Sequence, residues 1–295
     1  MQEISSVPGS EKIRLRFVII ATLLFSYFSP KTKVANAPDY GIDEVSNHAL
    51  ALLMDVARKI TFANKDVKQG KWDFKPLQPI YRLTGLTLGL VGFGNIAQRL
   101  SEKVVPLGLK VIAYDPYIPE EVAKSRNVTL VSLDELCQHA DLISVHAPLL
   151  PSTKGMIGKE QFQRMKKGVS IINTSRGPVI DEEAFIQALQ EGIVAGAGLD
   201  VVDQEPIASD HPFLSMDNVV LTPHSAWYSE EAAVEVRSKT ALGVVDVLVY
   251  GEYPKYLANR QVMEKTELQS HLPHERYNFD RDAILQKMKA TKAAH

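Results

Sequence analysis

Apolar positions along the chain follow two different periods. Over residues 44–60 (EVSNHALALLMDVARKI) they recur every three or four positions with few breakers, the spacing of an amphipathic helix. Ser46 or Asn47 is placed to cap its start. A polar link follows at 64–78 and includes Trp72 and Phe74. The pattern then changes to short apolar runs of strand length at 86–91, 110–114, 142–147, 169–173, 194–201 and 219–222. Helical patterns lie between several of them, notably 95–105 and 182–191. Strands alternating with helices predict an α/β fold with a doubly wound parallel sheet of the Rossmann type. A long amphipathic helix is expected over 229–250. Beyond about residue 259 the chain turns polar, apart from a helical pattern at 281–292, so a peripheral tail is expected.

The apolar run at 17–28 (FVIIATLLFSYF) stands apart, preceded by Lys12, Arg14 and Arg16. Its twelve residues are too few to cross a bilayer, which takes about 20. With Ala35-Asn36-Ala37 downstream it mimics a signal peptide; a buried strand or helix, or a damaged domain remnant, is the second reading. The cysteine count favours the second. Cys137 alone cannot form an internal disulfide, fits a reducing, cytoplasmic setting, and follows Leu133 and Leu136 at the spacing of a small core residue. A length of 295 residues suits two domains, and a net charge of -2 gives no polyanion-binding surface, so no nucleic-acid partner is expected. No cluster of His, Cys and carboxylates has metal-ligand spacing, so no metal is expected either.

Candidate chemistry begins at Gly92-Phe93-Gly94-Asn95-Ile96-Ala97, a G-x-G-x-x-A that ends one strand and opens a helix. Gly92 permits the tight turn, Gly94 lets the backbone approach a pyrophosphate, and Ala97 lets the helix pack on the strand. The helix start offers N–H groups and a positive dipole end to phosphates. Asp115 ends the next strand 23 residues beyond Gly92, where a carboxylate accepts ribose hydroxyls and repels a 2′-phosphate. The expected cofactor is therefore NAD rather than NADP.

Three further polar groups follow later strands, where open α/β sheets bind ligands: Arg176 in Asn173-Thr174-Ser175-Arg176-Gly177, Glu205 in Asp200-Val201-Val202-Asp203-Gln204-Glu205-Pro206, and His224 in Thr222-Pro223-His224-Ser225-Ala226-Trp227. With Val34-Ala35-Asn36-Ala37-Pro38, His48-Ala49-Leu50-Ala51-Leu52-Leu53, and His146-Ala147-Pro148-Leu149 followed by Thr153, these motifs resemble the D-isomer-specific 2-hydroxyacid dehydrogenase family over about 34–262. The feel is closest to its branch of C-terminal-binding proteins and phosphoglycerate dehydrogenases.

The resemblance implies reversible hydride transfer between NAD and a small D-2-hydroxy acid. Arg176 would clamp the substrate carboxylate and polarise its carbonyl. His224 would be the general acid for reduction and the base for oxidation, and Glu205 would hold the imidazole and favour its protonated form. The resemblance also implies that Phe93, Asn95 and Ile96 join the glycines at the cofactor, with His146, Pro148, Thr153, Thr174, Ser175 and Asp200, and that Trp227 lines the substrate pocket. Family members pair through the region of 48–60, which implies a homodimer, with that apolar stripe serving as core or as dimer interface.

The same resemblance implies a domain plan: an incomplete, truncated remnant of a substrate domain at 1–45, an NAD-binding domain at 46–227, a return helix at 228–258 and a polar tail at 259–295. Only 33 residues precede the first matching motif, too few for an open sheet whose every strand–helix–strand unit takes about 30. Two alternatives to a fully active dehydrogenase follow, an NAD(H)-binding sensor of the corepressor kind and a catalytically weak truncated enzyme.

Overall fold

The structure, a computed structural model, describes residues 34–260 and 263. The expectations for 17–28 and 281–292 lie outside these residues. By packing, residues 39–235 form one compact unit, and the described segments 34–38 and 236–260 belong to another.

The first unit opens with α1 (Ile42–Arg58) and α2 (Ile60–Lys68). α1 begins earlier than its pattern suggests, because Gly41 turns the chain in a left-handed conformation at φ 66°. Ser46 is consequently no cap. It lies buried inside the helix, its hydroxyl donating back to the Asp43 carbonyl, and Asn47 likewise sits within the helix. Lys59, left-handed at φ 55°, separates the two helices. α2 occupies part of what reads as a polar link, since its polar surface gives little periodic signal.

Strand β1 (Thr87–Val91) leads through the glycine turn into α3 (Asn95–Val104), and β2 (Lys110–Tyr114), α4 (Glu120–Lys124), β3 (Thr129–Leu130), α5 (Leu133–His139) and β4 (Leu142–Val145) follow. The second half runs α6 (Lys159–Arg164), β5 (Val169–Asn173), α7 (Glu182–Gln190), β6 (Val194–Leu199) and β7 (Val219–Leu221), ending at α8 (Glu230–Val245). The seven strands pair in parallel in the order β3-β2-β1-β4-β5-β6-β7. The order reverses between β1 and β4, and a crevice forms at such a switch point beyond the carboxyl ends of the strands.

Both faces of the sheet are covered, which is why its strands read as continuous apolar runs. Leu88 and Leu90 of β1 face Ala49, Leu52 and Leu53 of α1 and Leu100 and Val104 of α3. Val91, Ile143 and Ile171 face the opposite layer of Leu136, Phe162, Phe185 and Leu189. Each fully buried aliphatic side chain stabilises the fold by about 1.5–3 kcal/mol. The apolar stripe of α1 is thus core rather than dimer interface. Cys137 is buried in the second layer, and burial pushes its thiol up to about 11. On α5, Ser132 and Glu135 complete a reciprocal capping box.

α8 covers the first part of the expected 229–250 helix and opens into a wider helical turn at Asp246–Tyr250. Its buried residues are Ala232 and Ala233. In the second unit, Ala35 bridges Leu257 antiparallel, the Asn36 N–H donates to the Tyr256 carbonyl at 3.1 Å, and the Ala258 N–H donates to the Val34 carbonyl at 2.7 Å.

Candidate active site

The glycine turn sits at the switch point. Gly92 has φ 88°, and a Cβ there would stand 2.9 Å from the His146 and Ala147 backbone. Only glycine lets the ends of β1 and β4 come this close. Gly94 differs: a Cβ on it would meet nothing within 4 Å. Its small size therefore leaves room outside the protein fold, at the start of α3, where N–H groups and the helix dipole favour a phosphate. Asn95 is exposed and Ile96 half-buried beside that space. The Phe93 side chain is fully buried in the core, and its N–H donates to Asp115.

Asp115 is fixed by two backbone donors, Phe93 N–H to Oδ2 at 2.8 Å and Tyr117 N–H to Oδ1 at 2.9 Å. The carboxylate is held still, with lone pairs left for a diol. At the end of β4, His146 Nε2 lies 2.9 Å from Ser144 Oγ, and burial pulls its pKa down to about 4. The Thr153 hydroxyl donates to the Pro148 carbonyl at 2.5 Å and accepts from Leu150 N–H at 2.8 Å, closing the loop beyond β4.

The loop after β5 is organised by Asn173, a residue the motif contains but its sequence role does not announce. Buried Asn173 accepts both the N–H and the hydroxyl of Ser175 through Oδ1, each at 2.9 Å, and donates to the Arg176 carbonyl at 3.0 Å. Ser175 is thus turned toward Asn173. Thr174 Oγ1 is buried with no hydrogen-bond partner among the described residues. A buried orphan hydroxyl is costly unless something answers it, so this atom and the empty space over Gly94 both fit a dinucleotide. Arg176 donates from Nη1 to the Ser175 carbonyl at 2.6 Å. Its charge also acts on Tyr40, whose phenol burial pushes up and the guanidinium pulls back. Tyr40 meets Trp227 edge-on with ring centroids 6.3 Å apart. Nothing in the sequence marks Tyr40, which lies 136 positions before Arg176.

The next loop carries Glu205 and leans on the first. A Cβ on Gly177 would fall 2.0 Å from the Val202 carbonyl carbon, so the two loops touch backbone to backbone. Glu205 Oε2 stands 2.7 Å from His224 Nδ1. His224 has φ 53°, a left-handed conformation held by its N–H donating to the Asp200 carbonyl at 2.9 Å. Asp200 is buried, and its carboxylate accepts from Thr222 Oγ1 at 2.5 Å and from Ser225 and Ala226 N–H at 2.9 Å each. These bonds tie Asp200 to the turn that carries His224. With Glu205 on Nδ1, Nε2 is the nitrogen left to exchange a proton with a ligand. Among the described residues no group of three or more His, Cys, Asp or Glu gathers as a metal site, and no helix is long and apolar enough to cross a membrane. A cavity of about 210 Å³ lies elsewhere, lined by Phe62, Phe213 and Leu214 among others, and shares none of these residues.

The sequence profile of the D-isomer specific 2-hydroxyacid dehydrogenase NAD binding domain matches residues 50–226. A D-3-phosphoglycerate dehydrogenase of Methanocaldococcus jannaschii is 40% identical over 242 residues, 82% of this chain and 46% of that protein. A glyoxylate reductase of Korarchaeum cryptofilum is 40% identical over 237 residues, 78% of this chain and 70% of that protein. The chain thus spans about half the length of the first of these relatives. Among solved structures, the D-lactate dehydrogenase of Lactobacillus jensenii with NAD+ is similar at a TM-score of 0.69 and 30% identity, covering 77% of this chain and 72% of that one. The holo form of Rhodotorula graminis D-mandelate dehydrogenase gives a TM-score of 0.72 at 31% identity, over 77% of this chain and 68% of that one.

Proposed function

The chain belongs to the D-isomer specific 2-hydroxyacid dehydrogenase family, and from that premise we propose that it is an NAD-dependent oxidoreductase interconverting a small 2-oxo acid and its D-2-hydroxy acid. The observation that carries this reading is the 2.7 Å pairing of His224 Nδ1 with Glu205 Oε2, which orients the imidazole and leaves Nε2 as the nitrogen available for proton exchange. A site that only sensed the cofactor would have no use for such a pair.

The bound nicotinamide supplies the hydride in reduction and accepts it in oxidation. Gly92, Gly94 and the start of α3 would hold its pyrophosphate, with Asn95 and Ile96 alongside, and Asp115 would take the adenosine ribose. His146, Pro148, Thr153, Thr174, Ser175 and Asp200 would flank the rest, with the Thr174 hydroxyl available to hydrogen-bond it. Arg176 grips the substrate carboxylate as a planar fork and draws electron density from the C2 carbonyl. His224 donates its Nε2 proton to the C2 oxygen as that oxygen gains charge, and Glu205 steadies the imidazole through Nδ1. In oxidation the same nitrogen removes the hydroxyl proton. Trp227, with Tyr40 against it, forms a wall for the substrate side chain.

The domain plan carried forward has residues 46–227 as the cofactor domain, 228–258 as a return helix and the flanking segments as parts of a substrate domain and tail. The chain is read as a cytoplasmic homodimer, supported by its single buried cysteine and by Trp72, Phe74 and Tyr81, which are 89%, 66% and 69% exposed between α2 and β1.

The test follows NADH oxidation with glyoxylate, pyruvate and hydroxypyruvate. Wild-type protein is expected to turn over at least one of them, and His224→Ala to lose about 10²–10⁴-fold in rate. Tight NADH binding with no turnover above the mutant would leave a cofactor sensor instead.

A further inference from the structure

His48 lies outside the residues given roles above, yet it reaches the turn that carries His224. It sits one helical turn before Leu52 on α1, on the same face. Under Leu52 lies Gly198 of β6, where a Cβ would stand 2.9 Å from the Leu52 Cβ. The bare glycine lets α1 lie against the sheet closely enough for His48 to touch the end of β7. His48 Nε2 is 2.9 Å from Thr222 Oγ1 and 3.6 Å from Asp200 Oδ1.

Proton counting fixes the direction of this chain of contacts. A threonine hydroxyl has one proton, and an ionised carboxylate only accepts. Asp200 already receives the Ser225 and Ala226 N–H groups, so the Thr222 proton goes to Asp200 Oδ1 at 2.5 Å. Thr222 Oγ1 then offers only a lone pair to the imidazole, and the nitrogen facing it must carry hydrogen. The order is therefore His48 Nε2–H to Thr222 Oγ1, and Thr222 O–H to Asp200. Asp200 in turn grips the residues on either side of the turn: its carbonyl takes His224 N–H and its carboxylate takes Ser225 and Ala226 N–H.

We propose that His48 is a positioning residue of the active site, an Nε2–H imidazole that orients Thr222 and Asp200 and through them holds the left-handed turn presenting His224. This rests on the acid–base role proposed for His224. His48 touches neither cofactor nor substrate in this assignment; it limits how far the His224 ring can swing from Glu205. Misplacing a reacting group by about 1 Å through a change away from the chemistry can cost about 100-fold in rate.

The test combines imidazole NMR with kinetics on His48→Leu and His48→Gln. Nitrogen-15 spectra of the wild type are expected to show the His48 hydrogen on Nε2, and His48→Leu to move the His224 ring signals while the remaining spectrum keeps its native dispersion. Ketoacid reduction by His48→Leu should fall by up to about 100-fold. The amide N–H of His48→Gln can still reach Thr222 and should restore the His224 signals and most of the rate. A His48 ring bearing hydrogen only on Nδ1, or His224 signals unchanged in His48→Leu, overturns the proposal. Should His48→Leu not fold, the wild-type tautomer and the His48→Gln spectrum decide. If the wild type turns over no 2-oxo acid, it is the His224 reading that fails, and the NMR arms still decide the position of the His48 proton.

Discussion

Asp115 receives two backbone N–H groups, so its charge is pinned in place at the end of β2, where a 2′-phosphate would have to come. Asp115→Ala should bring NADH and NADPH affinities together, narrowing the ratio of their dissociation constants by about tenfold, or about 1.4 kcal/mol. Fluorescence titration with both nucleotides measures this, and an unchanged ratio removes Asp115 as the selector. His146 makes a prediction about stability. Burial lowers its folded pKa from 6.5 to about 4. On acidification the unfolded chain takes up this proton near pH 6.5 and the folded chain does so only near pH 4. Its contribution is whole above pH 6.5 and is lost as pH falls toward 4, at up to about 1.4 kcal/mol per pH unit. Urea midpoints of His146→Gln should decline less steeply than those of the wild type across that window. Parallel declines would show that His146 is not the group titrating.

At the scale of elements, the loops after β5 and β6 meet through close backbone contact. Gly177→Ala puts a Cβ where the Val202 carbonyl carbon already lies at 2.0 Å. The loops carrying Arg176 and Glu205 must part. We expect a stability loss of about 1–3 kcal/mol by urea unfolding, together with a fall in ketoacid reduction. Ser132→Ala is the control: it removes the capping box of α5, should cost about 1 kcal/mol, and should leave turnover per folded molecule unchanged. If the two variants behave alike in turnover, the loop contact has no part in the site. The elements also differ in how legible they were. β2 and β5 fall at 110–114 and 169–173, as their patterns indicate, because apolar residues dominate both segments. β3 has two residues and no pattern to read. α2 is mostly polar, and the break before it is a left-handed Lys59, a residue type that does not signal a break.

For the whole molecule, the large apolar groups left uncovered by residues 39–235 include Trp72, Phe74 and Tyr81. Their burial by a second copy is the expected state in solution. Sedimentation equilibrium should report a dimer for the wild type, and Trp72→Ser with Phe74→Ser should shift it toward monomer with little change in circular dichroism. A monomeric wild type at micromolar concentration excludes this arrangement. The α1 stripe, which also reads as a possible interface, is excluded by Ala49, Leu52, Leu53 and Val56, all packed inside the unit.

Local sequence was enough for the alternating elements, the glycine turn, the acid closing β2 and the residue types placed after β5, β6 and β7. Those features depend on periodicity and on short-range steric rules that operate within one strand, one turn or one helix. Tertiary structure alone decided that Ser46 is core and not cap, that Phe93 supports Asp115 from within, that Asn173 orders the Arg176 loop, and that His48 and Tyr40 meet residues more than a hundred positions away. Such pairings arise when strands distant in sequence become neighbours in a parallel sheet and a helix settles on a bare glycine. No local pattern encodes that juxtaposition, because its energy exists only once the sheet has closed.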